Sequence, residues 1–139
     1  MWAAFAPLIA AVVAGLIAGA ALWQKRRADN RAEWWRRAQW GVDASFDPDP
    51  GRQAMGLAVL EVLATSKLAT KEELKIVEEA WQGPLWEVEA AARPERVQAV
   101  PIRADERGKI RAARLRLVTD RRLGKVTPEW VKDLAKEPV

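Results

Sequence analysis

Residues 2–23 read WAAFAPLIAAVVAGLIAGAALW, and residues 24–27 read QKRR. The first stretch holds no Asp, Glu, Lys, Arg, Asn, Gln, Ser or Thr, and 19 of its 22 residues are hydrophobic. At about 1.5 Å of rise per residue it matches a hydrocarbon core of about 30 Å, so it reads as one transmembrane helix. Trp2 and Trp23 stand where interfacial aromatic belts stand. Pro7 lies near the start, where a missing N–H and a ring clash disturb a helix least. A cleaved signal peptide would carry its positive charge ahead of the apolar run; here Lys25, Arg26 and Arg27 follow it, which favours a retained anchor. The same three charges set the expected orientation, because short basic flanks stay on the cytoplasmic side: N-terminus outside, C-terminus inside, single-pass in the plasma membrane.

Within the span, Gly15 and Gly19 form a G-x-x-x-G ridge flanked by Ala11 and Ala18, a surface on which two helix backbones can approach and pair as a homo-oligomer. A wet pore needs a polar face, which this helix lacks.

The chain of 139 residues has no His and no Cys, which excludes a Ser-His-Asp or Cys-His nucleophile, a usual zinc site, a disulfide and a His-held haem. No cofactor is expected. The formal charge of +4 hides a segregated pattern: net +4 over residues 24–40, −6 over 41–92, +7 over 93–127 and −1 over 128–139.

Residues 24–46 are expected as a basic, Trp-rich juxtamembrane helix. Lys25, Arg26, Arg27, Arg31 and Trp34 are assigned to the anionic inner leaflet, where each basic residue contributes about 1 kcal/mol and Trp prefers headgroup depth. Trp35, Ala38, Val42 and Phe46 share a helical face and are assigned to a core. Arg and Trp together also suit single-stranded nucleic acid, but the span already accounts for the basic flank.

Asp47-Pro48-Asp49-Pro50-Gly51 reads as a turn, because each proline restricts its predecessor and removes a donor. Asp47 and Asp49 have the opening spacing of a calcium loop but lack its third ligand and distal Glu. Residues 47–92 are expected as an acidic helical hairpin. Ala54 to Ala64 forms a buried helix too short to span a bilayer. Thr70-Lys71-Glu72-Glu73 is a capping box opening a second helix, with Leu74, Val77 and Trp81 on one face. Gly83-Pro84 should end or kink that helix. Glu72, Glu73, Glu78 and Glu79 are expected in solvent, since a di-metal site would need partners on other helices.

Residues 93–139 are expected as a basic segment with an extended connector around Pro94 and Pro101, then two short helices. The first runs from Asp105 through Ile110, Ala113 and Leu117 to a left-handed cap at Gly124. The second starts at Thr127-Pro128-Glu129 with Trp130 and Leu134 on one side. The outline resembles a helix-turn-helix, but the helix that would enter the major groove carries net −1 charge, which weighs against nucleic acid. Arg107, Arg111 and Arg114 on the preceding basic helix are the candidates for binding a protein partner.

Three stretches, RAEWWRRAQW at 31–40, GLAVLEVLATSKLATKEEL at 56–74 and RLVTDRRLGKVTPEWVKDLA at 116–135, resemble small single-span membrane proteins of high-GC Gram-positive bacteria and their phages. The resemblance implies the architecture, contributes no site residues, and through a phage or prophage origin would point to a role at a host membrane. The fold expected is mostly α: one N-terminal transmembrane helix (1–23) and a small helical cytosolic domain. The function expected is that of a membrane-anchored interaction or scaffold protein without enzymatic activity. Nucleic-acid binding through the basic C-terminal segment and a lysis or holin-like role are the alternatives.

Overall fold

A computed structural model describes residues 6–92 and 104–139. The expected extended connector falls largely outside them. Among the described residues there are five helices and no strand: α1 (Ala6–Ser45), α2 (Pro50–Thr65), α3 (Lys71–Ala92), α4 (Glu106–Leu123) and α5 (Glu129–Lys136). The chain divides into two compact units, residues 1–35 and 36–139.

In the first unit, α1 runs without a break from the apolar stretch into the basic one. Nothing in the sequence stops it: no proline occurs between Pro7 and Pro48, and a change from lipid-loving to charged residues does not interrupt backbone hydrogen bonding. The expected boundary at residues 23 and 24 therefore falls inside one helix. At about 1.5 Å per residue, residues 6–35 of this helix extend about 45 Å, longer than a hydrocarbon core of about 30 Å. Every residue from Leu8 to Ala32 is exposed. The helix is long and apolar enough to cross a membrane; its most apolar window has mean hydropathy 1.7 and none of it is buried.

The second unit is built around α4, which packs extensively against α2, α3 and α5, whereas α2 and α3 meet only slightly. The expected hairpin of α2 and α3 is thus opened by α4, whose Ile110, Ala112, Ala113 and Leu115 are buried. Leu117 is more than a third exposed, and Leu115 takes the place expected for it. Residues 36–45 of α1 also belong to this unit and cross α2 closely. A Cβ on Gly56 would lie 2.7 Å from the Gly41 carbonyl oxygen and from the Ser45 backbone nitrogen, so this crossing admits only glycine. The close approach selects the buried stripe of α1 within this unit: Ala38, Gly41 and Ser45. The stripe is turned by about one residue from the expected one. Trp35 and Val42 are half-buried and Phe46 is exposed.

The helix ends follow local chemistry. Asp49 caps α2, its side chain accepting from the Arg52 backbone N–H at 2.8 Å, and Pro50 takes the first helical position, where its missing donor costs nothing. The expected turn therefore ends at Asp49. The capping box at Thr70 forms: the Thr70 N–H donates to Glu73 Oε2 at 2.6 Å and the Glu73 N–H donates to Thr70 Oγ1 at 3.4 Å. Asp105 caps α4 through the Gly108 N–H at 2.8 Å, and Gly124 closes it at φ 72°, the left-handed geometry glycine permits. At Gly83-Pro84 α3 continues to Ala92. A mid-helix proline costs roughly 3 kcal/mol. Burial of Trp81, Pro84 and Leu85, each large apolar group worth about 1.5–3 kcal/mol, offsets it.

Candidate functional site

The charged residues of α4 are drawn inward by partners far away in sequence. Arg116, 9% exposed, lies with its guanidinium carbon 4.4 Å from the Trp81 ring centroid and 5.4 Å from that of Trp130. Its Nη1 donates to Glu89 at 3.3 Å, and its Nε lies 3.6 Å from Asp120. One planar cation therefore ties α3, α4 and α5 together through two aromatic faces and two carboxylates. Trp81 is fixed in turn: its Nε1–H donates to Thr119 Oγ1 at 3.1 Å, and that hydroxyl donates to the Arg116 carbonyl.

Arg122 reaches the end of α2. Its guanidinium donates to the carbonyls of Ala64 at 2.7 Å, Ser66 at 2.6 Å and Ala69 at 2.8 Å, satisfying acceptors that the helix end and its loop leave open. Lys125 donates to both oxygens of Glu78, at 2.6 and 2.9 Å. Asp120, 3% exposed, has its pKa pushed above the ordinary carboxylate value. Burial is the main cause. A hydrogen bond from Thr127 and the charges of Arg116 and Lys125 oppose the rise, and the Glu78 charge adds to it.

These contacts revise several expectations. Glu73 and Glu78 are buried, one in the capping box and the other under Lys125; Glu72 and Glu79 are exposed. Of the candidate partner-binding arginines, Arg114 is used internally: its guanidinium donates to the carbonyls of Ala135 and Glu137 at 3.0 and 2.8 Å, closing the end of α5. Arg111 is half-buried, with Nη1 3.7 Å from Glu61 on α2. Arg107 is exposed. Lys109 pairs at the surface with Glu106 on the same helix at 3.3 Å, and Arg121 is exposed.

Asp47 and Asp49, with their fragment of calcium-loop spacing, serve the turn. Asp47 Oδ1 accepts from the Asp49 N–H at 2.9 Å, and its Oδ2 lies 3.2 Å from Arg52 Nε. Among the described residues no group of three or more His, Cys, Asp or Glu side chains is placed to hold a metal ion.

In the first unit, Arg27 lies over the Trp23 ring at 5.4 Å, a cation–π pair one helical turn apart at the end of the apolar stretch. Lys25, Arg26 and Arg27 are exposed within about 6 Å of rise beyond Trp23. Arg31 is exposed as well, two helical turns further along α1. Trp34 is 3% exposed and meets Trp35 edge to face at 5.4 Å. Gly15 and Gly19 are open, with nothing within 4 Å of a built Cβ.

The described surface of the second unit has one further feature, a groove lined by Arg37, Met55, Ala58, Val59, Val62 and Leu63. Sequence reading passed over it because Ala54 to Ala64 is apolar on all sides, and such a run does not say which side is left uncovered. Neither the family models, nor the curated proteins, nor the solved structures hold a match to this chain.

Proposed function

We propose that this chain is a single-pass plasma-membrane protein that works by binding, without catalysis, through a helical unit on the cytoplasmic side. The observation that carries the reading is the bare half of α1: a helix of this length and apolarity with none of its apolar window buried requires a solvent other than water. The cations at Lys25, Arg26 and Arg27, with the Trp23–Arg27 pair, supply the interfacial anchor and the cytoplasmic sign, and anionic inner-leaflet lipid is the contact they fit. The anchor would confine the helical unit to the membrane surface, where effective concentration replaces intrinsic affinity.

The chain lacks cysteine, so the topology test is clean. A single cysteine placed at Ala3 or at Lys136 is exposed to a membrane-impermeant maleimide in intact cells. Labelling at Ala3 and protection at Lys136, together with resistance to alkaline extraction, is expected. The reverse labelling, or release of the chain by alkali, overturns the reading. Crosslinking in the host, compared with a chain carrying an unrelated span, then separates binding by the helical unit from pairing through Gly15 and Gly19.

A further inference from the structure

Of the three cations that follow the apolar stretch of α1, Arg27 is the one whose guanidinium lies over an aromatic ring, 5.4 Å from the Trp23 centroid. The two residues are four apart, so both stand on one face of the helix. Trp23 is 61% exposed, and Arg27 is exposed as well. Among the described residues no carboxylate pairs with Arg27; Asp29, two positions on, points to another side of the helix. A guanidinium that rests its face on an indole keeps its N–H donors, because stacking uses the π surface and hydrogen bonding uses the edge. The pair therefore offers a planar fork of donors, held in place from one side, at the end of a segment long and apolar enough to cross a membrane.

We infer that Trp23 and Arg27 form a clip for the phosphodiester of an anionic lipid headgroup. Arginine's fork matches two phosphate oxygens at once, which a lysine ammonium does not. The indole, apolar in its ring and polar at its N–H, prefers the depth at which headgroup and chain meet, and so sets the fork at phosphate level. The phosphate of phosphatidylglycerol has no cation of its own to compete with the fork, whereas that of phosphatidylcholine carries its choline. Lys25 and Arg26 supply charge to the same leaflet without a ring beneath them, so the clip gives Arg27 a role that its neighbours do not share. The inference rests on the membrane reading proposed above and names the lipid chemistry at its interface.

The test reconstitutes the full chain in vesicles of phosphatidylcholine and follows, by electron paramagnetic resonance, the share of a spin-labelled lipid held at the protein surface. Spin-labelled phosphatidylglycerol is expected to be held about fivefold more strongly than spin-labelled phosphatidylcholine. Arg27→Lys keeps the charge and gives up the fork; Trp23→Leu keeps the apolarity and gives up the ring. Each should cut the preference by roughly half, and the two together no further, because both break one clip. Arg26→Lys should leave it unchanged. Full preference in Arg27→Lys, an equal loss in Arg26→Lys, or additive losses in the double change overturns the inference. So does displacement of the lipid by inorganic phosphate but not by chloride of equal ionic strength, since the clip would then hold free phosphate. Release of the chain by alkali overturns the membrane reading and the clip with it; a chain that resists alkali yet shows no lipid preference overturns the clip alone.

Discussion

Between Leu8 and Trp23, α1 carries no charge and every residue is exposed; between Glu106 and Leu123, α4 carries seven arginines and lysines and eight of its residues are buried. Composition alone would assign the two helices the other way round. The difference teaches that burial follows the partners a segment finds. The apolar half of α1 has none within its own unit, and it is long and apolar enough to cross a membrane. α4 finds carbonyls, carboxylates and indole faces for its cations, and covers their aliphatic stems with neighbouring helices.

The same substitution in both helices gives the largest contrast. Leu115→Ala in α4 should cost the second unit roughly 3 kcal/mol, since the side chain is fully buried and its removal leaves a cavity. Leu16→Ala in α1 should leave that value within about 0.5 kcal/mol. Both are read from urea denaturation of the full chain in detergent, followed by Trp fluorescence. Equal effects would break the comparison.

Next in size is Arg122→Met, which strips three carbonyl acceptors of their donor and should cost about 2 kcal/mol in the same experiment. An unchanged midpoint would mean that those carbonyls are satisfied by water at no cost. Glycine sharpens the comparison at a similar scale. Gly56→Ala must push apart the backbones at the α1–α2 crossing and should cost about 1–3 kcal/mol. Gly19→Ala meets nothing within 4 Å and should be silent in the monomer; a loss of crosslinked dimer at Gly19→Ala would reveal pairing through the span.

The smallest effect is on pH dependence. Burial raises the Asp120 pKa above its unfolded value, so the folded state binds this proton more tightly than the unfolded chain does. The contribution of Asp120 to stability should therefore improve as pH falls from neutral through its folded pKa, and level off below the ordinary Asp value. Asp120→Asn should remove that component from a plot of denaturation midpoint against pH, and an unaltered slope would assign it elsewhere.

What could be read from the sequence was local or periodic. The long apolar N-terminal helix, the capping box at Thr70 and Glu73, the left-handed cap at Gly124 and the buried face of Leu74, Val77 and Trp81 each depend on residues within about a turn or two of one another. What failed depended on distant partners. Glu78 looks solvated until Lys125, 47 residues away, covers it. Arg114 looks available until it closes the end of α5. The buried stripe of α1 is turned by about one residue because the neighbouring stripe is nearly as apolar, and only the small side chains at Ala38, Gly41 and Ser45 marked where another helix approaches.

The grip of Arg122 on the loop after α2 carries over to protease resistance. Lys67 is exposed and would be a ready tryptic site by sequence. A protease, however, must draw several residues into an extended strand in its cleft, and here the carbonyls on either side of Lys67, at Ser66 and Ala69, are held by one guanidinium. The bond after Lys67 should outlast other exposed lysyl and arginyl bonds under brief digestion, and become an early cut once Arg122 is replaced. A single arginine thus guards a peptide bond 55 residues away.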